Sequence, residues 1–299
     1  MKENNVSIIG GDLRIIRLAK MLKNDGFNVY TYGLENANDI QDDDEIIMCN
    51  SLNDAIDKSH IIISAIPFSK NGISINSPFS EKEIDIEELV NGESKKEKIF
   101  IAGSLKENIF DKLNSKFGKV IDVMKSEELT ILNTIATAEG TIDIAIKERE
   151  KNLQGSTVLV LGFGRVAKVV AQKFKALGAE VTCAARKEKD LAWIKAYGYN
   201  CMNINFLNEK LSDFDIIINT VPETIVRKRQ LKFTKSDVLI IYFFSYYLCI
   251  FILLSFEKTK IRLKTYYFYS NKLVLFIISI LFIIFIKLLL SLSLSLSLS

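Results

Sequence analysis

Three small residues in the middle of the chain have the spacing of a phosphate-binding turn. Gly162, Gly164 and Ala167 follow the uncharged run 158–161 and precede apolar residues at helical spacing. The first glycine permits a tight turn, the second lets the backbone approach a pyrophosphate, and the third position requires only a small residue for helix packing. The amides and dipole of the helix N-terminus would hold the anion. A dinucleotide site is therefore predicted, with a purely structural turn as the alternative, and its expected contacts are Gly162, Gly164, Arg165 and Val166.

The next predicted strand, Glu180 to Ala185, indicates which dinucleotide is bound. A dinucleotide site for NAD usually has an acidic residue at the end of this strand, where it binds the ribose 2′-hydroxyl. Here the strand is followed by Arg186 and Lys187, which suit a 2′-phosphate. NADP is predicted, and the alternative is that both cations only begin a solvated helix. A later apolar strand ends in Thr220, Val221 and Pro222, where the nicotinamide would lie.

Three charged residues elsewhere are candidates for substrate chemistry. Asp12 follows two glycines at a predicted helix start, where capping would be its structural role. Arg14 lies in the same first turn, although the helix dipole there favours an anion. It therefore either binds a substrate carboxylate or is a surface arginine. Glu139 interrupts an apolar stripe beside Gly140, so it either faces a cleft or solvates a helix edge.

The elements that must position these residues alternate between short apolar strands and amphipathic helices. This order predicts an α/β fold with two doubly wound parallel sheets, the second a Rossmann dinucleotide-binding domain. We expect an α/β substrate domain over 1–125, a linking helix over 126–150, an incomplete Rossmann domain over 151–241 and an aberrant apolar tail over 242–299.

Composition excludes several functional classes. Four cysteines are scattered without C-x-x-C spacing, and there is one histidine, so neither a metal site nor a Ser-His-Asp triad is expected. Basic residues are interleaved with acidic ones, which argues against nucleic-acid binding. The chain carries a net charge of −5 through Pro222 and +8 from Glu223 onward. The first part is thus typical of a cytoplasmic protein.

The tail allows two interpretations. Residues 238–256 and 273–290 are each apolar and long enough to span a bilayer, which would make the protein membrane-associated. However, basic clusters flank the first stretch on both sides, against the positive-inside rule. The chain then ends in alternating Leu-Ser, which a CT-repeat DNA encodes in any frame. A frameshifted or mis-joined tail is the alternative to a real anchor.

Six segments together resemble the family of dipicolinate synthase A-subunits, over about residues 6–241. The segments are Ile9-Gly10-Gly11-Asp12-x-Arg14, Ile66-Pro67-x-Ser69, Asn133 to Ile142, Gly162-Phe163-Gly164-Arg165, Ala184-Ala185-Arg186 and Asn219-Thr220-Val221-Pro222. The resemblance implies an NADP-linked oxidoreductase component that converts 4-hydroxytetrahydrodipicolinate, a small dicarboxylate, to dipicolinate. It also implies a flavoprotein-like dipicolinate synthase B-subunit as partner and a location in the mother-cell cytoplasm during sporulation.

The expected mechanism follows from the chemistry of such a substrate. Arg14 and the polar loop after Pro67 would hold carboxylates, while Glu139 or Asp12 would handle a proton. The alternatives are another two-domain NAD(P)-dependent dehydrogenase and a membrane-tethered, non-catalytic nucleotide-binding protein. After Ile241 the family continues with Asp-Leu-Ala-Ser, whereas this chain has Tyr242-Phe243-Phe244-Ser245. We therefore expect one edge of the second sheet to lack its covering elements, and this chain to be insoluble or inactive.

Overall fold

The computed structural model describes residues 4–243 and 262–265. The chain divides into two compact units, with the boundary between Thr130 and Ile131. Each unit is built on a six-stranded parallel sheet, which confirms the predicted fold class of two doubly wound α/β domains.

The first unit places its strands in the order β3-β2-β1-β4-β5-β6. Its strands are β1 Asn5–Ile9, β2 Asn28–Tyr32, β3 Ile46–Met48, β4 Ile61–Ser64, β5 Lys95–Ala102 and β6 Phe117–Asp122. Its helices are α1 Leu13–Asn24, α2 Asn38–Gln41, α3 Leu52–Lys58, α4 Ile86–Val90 and α5 Glu107–Lys116, followed by a 3-10 turn at Val123–Lys125. The sequence analysis did not identify β3, because three residues give too short a pattern to recognise.

The central strands of this sheet are buried on both faces. Ile61 and Ile63 pack with Ile8 on one face, whereas Ile62 packs with Ile9 on the other. A strand covered on both sides needs apolar residues at every position, which is why these segments show no alternation in the sequence.

The second unit repeats the same topology with the strand order β12-β11-β10-β7-β8-β9. Its strands are β7 Thr157–Leu161, β8 Glu180–Ala185, β9 Asn200–Asn203, β10 Ile216–Asn219, β11 Leu239–Tyr242 and β12 Arg262–Thr265. Its helices are α7 Arg165–Ala176 and α8 Glu188–Ala196, with 3-10 helices at Ile204–Glu209, Leu211–Asp213 and Lys228–Phe233. Read from β7 outward, this order is that of a Rossmann domain.

A long helix, α6, spans Glu127–Glu148 and leads into the second unit. Its apolar length would suffice to cross a membrane, but half of that stretch is buried within the protein. Ala138, Ile144 and Ala145 pack in the core that also contains Val158 of β7 and Ala167 of α7. This part of α6 is therefore a core helix of the second unit.

The structure corrects two expectations about the region after Pro222. The first predicted bilayer-spanning stretch, 238–256, begins instead with strand β11, which pairs in parallel with β10. The sheet edge expected to be uncovered is also occupied, because Arg262–Thr265 pairs with β11. The apolar residues Leu239, Ile240 and Ile241 suit a buried strand as well as a membrane span, so composition alone did not separate the two. The rest of the predicted tail, including the stretch 273–290, lies outside the described residues.

Candidate functional site

The glycine turn after β7 has the geometry that its sequence predicts. Gly162 has φ +99°, and a Cβ on it would lie 2.8 Å from both Thr220 Oγ1 and Val221 Cγ1. Thr220 Oγ1 in turn donates a hydrogen bond of 2.8 Å to the Leu161 carbonyl. The structure therefore brings three of the predicted cofactor contacts, Gly162, Thr220 and Val221, together where β7 and β10 end. Only glycine fits the first position, because both the conformation and the space exclude a side chain.

Gly164 serves a different purpose. It is the N-cap of α7 with φ −79°, a conformation that any residue adopts, and no described heavy atom lies within 4 Å of a Cβ built on it. Within the described residues, no side chain caps this helix, and its first turn, which holds Arg165 and Val166, contains no acidic residue. The space beside Gly164, at the positive dipole end of α7, is therefore open. This arrangement suits a bound pyrophosphate.

The end of β8 presents cations rather than a carboxylate. Ala184 accepts a 2.8 Å hydrogen bond from the Gly162 amide, so the turn and the end of β8 are adjacent. Arg186 and Lys187 follow, both exposed, and Lys187 is the N-cap of α8. The first acidic residue after the strand is Glu188, already inside the helix. A ribose carrying a 2′-phosphate would therefore meet positive charge at this position.

Asn219 shapes the turn after β10, and the sequence analysis did not select it as a site residue. Its side chain is fully buried; Oδ1 accepts from the Val221 amide at 3.3 Å and Nδ2 donates to the Glu223 carbonyl at 2.7 Å. These bonds fix the turn that contains Thr220, Val221 and the exposed Pro222. Its position at the end of an apolar strand was the available signal, because a buried amide there must find backbone partners.

The corresponding turn of the first unit is closed. The Asp12 carboxylate caps α1 by accepting from the Arg14 amide at 3.1 Å, and the Gly11 amide donates to the Asn76 carbonyl at 2.8 Å. A carboxylate thus already occupies the N-terminus of α1, and a loop covers the turn. Although the two units share one topology, the second is the one that offers an open anion site.

Arg14 is a buried residue rather than the surface arginine that was one of its two interpretations. Its exposed fraction is 7%, and its guanidinium donates to both Asp12 oxygens, with Nε 2.9 Å from Oδ1 and Nη2 2.7 Å from Oδ2. Nη2 also donates to the carbonyl of Ile66, which precedes a cis Pro67. Arg14 therefore fastens the start of α1 to the segment after β4.

That segment forms a polar pocket in the first unit. The loop is held by Ser69 Oγ, which donates to the Ser74 carbonyl at 2.6 Å, and by Asn71 Oδ1, which accepts from the Ser74 amide at 2.9 Å. The pocket, of about 390 Å³, is lined mainly by hydroxyl, amide and charged groups, among them Lys70, Asn76, Ser77, Ser80 and Lys82. Its size and polarity suit a small, polar ligand.

A larger groove of about 530 Å³ lies in the second unit, away from the glycine turn. Its walls include Thr157, Glu180 and Asn200, which are the first residues of β7, β8 and β9. Ligands of open parallel sheets bind at the opposite, carboxyl edge. The groove is therefore not the candidate site.

Glu139 is bound within the second unit. Its Oε1 accepts a 2.9 Å hydrogen bond from Lys173 Nζ of α7, and its side chain is 34% exposed. This ion pair joins α6 to α7. Glu139 thus lies in the second unit beside Lys173 of α7, whereas Asp12 and Arg14 form a pair in the first unit.

Comparison with known proteins agrees with this architecture. Residues 5–124 match the family model for the N-terminal domain of the dipicolinate synthase A-subunit, and residues 118–243 match that for the D-isomer specific 2-hydroxyacid dehydrogenase NAD binding domain. The dipicolinate synthase A-subunit of Bacillus subtilis (strain 168) is 26% identical over 236 residues, which are 79% of each chain. The chain is a relative of the dipicolinate synthase A-subunit. The family resemblance seen in the sequence is confirmed.

Two solved structures share the fold. That of the dipicolinate synthase A-subunit from Bacillus halodurans has a TM-score of 0.74 and 24% identity, covering 96% of this chain and 98% of its own. That of the dipicolinate synthase A chain from Bacillus subtilis has a TM-score of 0.73 and 24% identity, covering 99% and 98%. The function of the second unit follows instead from its family match. Residues 118–243 match the NAD binding domain of the D-isomer specific 2-hydroxyacid dehydrogenases, so the second unit is a nicotinamide dinucleotide-binding domain and the chain belongs with the oxidoreductases.

Proposed function

We propose that the chain is the dinucleotide-binding component of a dipicolinate synthase. It would convert 4-hydroxytetrahydrodipicolinate to dipicolinate by loss of water and transfer of a hydride to NADP⁺, with a proton passing to a base. The observation that carries the proposal is the open N-terminus of α7 beside Gly164, in a chain whose first half matches the A-subunit N-terminal domain. The cofactor supplies the redox chemistry, and the protein supplies binding and orientation.

The residues of each unit take separate parts in this proposal. Gly162, Gly164 and the first turn of α7 would hold the pyrophosphate, and Arg186 with Lys187 would hold the 2′-phosphate. The polar pocket after Pro67 would hold the substrate carboxylates, with Lys70 and Lys82 as its cations. We assign Arg14 a positioning role, because its guanidinium fastens this segment through Ile66 rather than lining the pocket.

Asp12 and Glu139 remain the proposed proton carriers, and their surroundings differ. Asp12 is engaged by Arg14 and by the α1 amides, and its side chain is 22% exposed. Glu139 has a single described ion-pair partner, Lys173, and is more exposed. Glu139 is thus the freer of the two to exchange a proton with solvent, although its partner Lys173 lies about 12 Å of helix from the start of α7.

A hydroxy acid dehydrogenase is the competing assignment, since the second unit matches a 2-hydroxyacid dehydrogenase domain. Such enzymes normally place a histidine near the cofactor. The sequence contains a single histidine, His60, which is exposed in the first unit. The dipicolinate assignment is therefore preferred.

The proposal extends to the partner and the cellular setting. A flavoprotein-like B-subunit would complete the enzyme, in the mother-cell cytoplasm of a sporulating bacterium, and association with a membrane would require that the tail be a genuine anchor. The full-length chain, mixed with its cognate B-subunit, should form dipicolinate from the tetrahydro substrate and NADP⁺, detected by mass spectrometry. Turnover of 2-hydroxy acids in place of the cyclic substrate would refute the proposed reaction.

A further inference from the structure

Asn133 on α6 carries a buried oxygen that the protein leaves without a partner. Among residues 4–243, the buried side-chain oxygens without a hydrogen bond are Asn133 Oδ1 and Thr31 Oγ1. Leaving a buried amide unpaired costs about 1–3 kcal/mol, so such groups normally meet water or a ligand. The residue as a whole is only half-buried, whereas this oxygen is enclosed by the protein.

The polar residues that follow Asn133 on α6 are satisfied by the helix itself. Thr137 Oγ1 donates to the Asn133 carbonyl at 2.9 Å, and Thr141 Oγ1 donates to the Thr137 carbonyl at 2.8 Å. Thr134 Oγ1 likewise donates to the Ile131 carbonyl at 2.6 Å. The side-chain amide of Asn133 is the member of this polar stripe whose hydrogen bonding is incomplete.

The height of Asn133 along α6 follows from the pairing with α7. Helix α6 ends before β7 begins, and helix α7 ends before β8 begins. Because β7 and β8 are parallel, the two helices run in the same direction. The Glu139–Lys173 bond aligns them. Asn133 precedes Glu139 by about 9 Å of helix, and Arg165 precedes Lys173 by about 12 Å. Asn133 therefore lies level with the first turn of α7, at the carboxyl edge of the sheet.

The lateral position of α6 also follows from packing. On this face of the sheet, α7 lies against β7 and β8, and α8 against β8 and β9. The same core includes Ile218 of β10 and Ile241 of β11 together with α6 residues Ala138 and Ala145. That leaves α6 to cover the β10 and β11 side. In a Rossmann domain the nicotinamide half of the cofactor lies on this side, past the end of β10.

We propose that the side-chain amide of Asn133 binds the carboxamide of the nicotinamide ring. A primary amide offers an NH₂ donor group and a carbonyl acceptor, and another primary amide complements both. The carboxylates of the substrate and the phosphates of the cofactor are hydrogen-bond acceptors. They therefore cannot donate to the amide oxygen of Asn133. The inference rests on the nicotinamide dinucleotide assignment of the second unit and is independent of the substrate.

The test measures binding and requires no turnover. The full-length chain and its Asn133→Leu variant are titrated with NADP⁺ and with 2′-phospho-ADP-ribose, which lacks the nicotinamide. We expect the variant to bind NADP⁺ about tenfold more weakly, the effect of losing about 1.4 kcal/mol, while its affinity for 2′-phospho-ADP-ribose stays unchanged. If the chain prefers NAD⁺, the two ligands compared are NAD⁺ and ADP-ribose. Asn205→Leu, at an exposed asparagine of the 3-10 helix 204–209, is the matched control and should change neither affinity.

A third ligand distinguishes recognition from structural support. The 3-acetylpyridine analogue of NADP⁺ replaces the carboxamide NH₂ by methyl, so the wild-type chain should bind it more weakly than NADP⁺ and the Asn133→Leu variant should bind both equally. Equal losses for NADP⁺ and 2′-phospho-ADP-ribose in the variant would show a structural role and overturn the proposal. Unchanged NADP⁺ binding would also overturn it. A wild-type chain that binds no dinucleotide would refute the domain assignment itself.

Discussion

Arg14 and Asp12 form a two-point ion pair at the start of α1, with Nη2 of the arginine 2.7 Å from Oδ2 of the aspartate. The same guanidinium donates to the carbonyl of Ile66, so one side chain joins a helix N-terminus to the segment after β4. In the second unit, the N-cap position that corresponds to Asp12 is Gly164, and no described side chain caps the N-terminus of α7. One topology thus yields a self-capped turn in one unit and a ligand-binding turn in the other.

The first prediction is that Arg14→Ala destabilises the first unit. Removing one partner of a buried ion pair costs about 3–5 kcal/mol, because Asp12 and the Ile66 carbonyl are left without it. The effect is measured by urea unfolding of the full-length protein. The control is Lys20→Ala, which lies on α1 like Arg14 and breaks an exposed ion pair with Asp39 of α2. It should cost at most about 1 kcal/mol. Substrate use should weaken in Arg14→Ala while cofactor affinity is retained, and equal stability of the two variants would contradict the positioning role.

The glycine turn and the Asp12–Arg14 pair show what the sequence could and could not predict. Gly162 and Gly164 were predictable because their role depends on local backbone geometry, which the residue type encodes. The bond from Arg14 to Ile66 was not, because the two residues are 52 positions apart in sequence and only the fold of the first unit brings them together. The incomplete hydrogen bonding of Asn133 is likewise visible only when the burial of its oxygen is known.

The second prediction separates the two glycines of the turn. Gly162→Ala should lower stability by roughly 2–4 kcal/mol, since the residue has φ +99° and its Cβ would press on Thr220 and Val221. Gly164→Ala should change stability by no more than about 1 kcal/mol, because that position is conformationally ordinary and open. Dinucleotide affinity should nevertheless fall at least about tenfold in Gly164→Ala, where the Cβ stands in the phosphate's approach. Thermal unfolding and cofactor titration of both variants provide the measurement, and normal affinity in Gly164→Ala would refute the phosphate site.

The third prediction concerns cofactor preference. The full-length chain should bind NADPH more tightly than NADH, because charge-assisted hydrogen bonds from Arg186 and Lys187 to the extra phosphate contribute about 1.5–3 kcal/mol. The double variant Arg186→Ala/Lys187→Ala should lose most of that preference with little effect on NADH affinity. Lys189→Ala, an exposed cation inside α8, is the control and should keep the preference. Equal wild-type affinities for the two cofactors would refute the NADP assignment.

The fourth prediction concerns acid stability of the second unit. Burial alone would raise the pKa of Asp215, but hydrogen bonds from Lys235 and Thr157 outweigh it and hold the pKa below the ordinary value of 3.8. A depressed folded-state pKa stabilises the fold above the unfolded pKa, and this contribution is lost as pH falls through the folded pKa. Asp215→Asn should therefore be less stable than wild type at pH 7, and the difference should shrink below about pH 4. Urea unfolding across this range is the measurement.

The last prediction concerns Tyr242, where the sequence departs from the dipicolinate synthase A-subunits that it resembles. Its ring is 1% exposed in the core of the second unit, its hydroxyl donates a 2.6 Å hydrogen bond to the Val226 carbonyl, and burial raises the pKa of the phenol well above its ordinary value. A residue foreign to the fold would not be expected to satisfy its polar atom in this way. Tyr242 therefore behaves as a genuine core residue of β11.

Two substitutions at this position distinguish a native chain from a frameshifted one. Tyr242→Phe removes the bond to Val226 and should cost about 1 kcal/mol. Tyr242→Asp introduces the aspartate that the resemblance to these A-subunits leads us to expect, so it should be neutral or favourable if the chain after Ile241 is an error. It should be strongly destabilising if Tyr242 belongs there, because an unpaired carboxylate would be buried beside β10. Soluble yield and thermal unfolding of the full-length variants decide the question, and a Tyr242→Asp protein as stable as wild type would restore the frameshift interpretation.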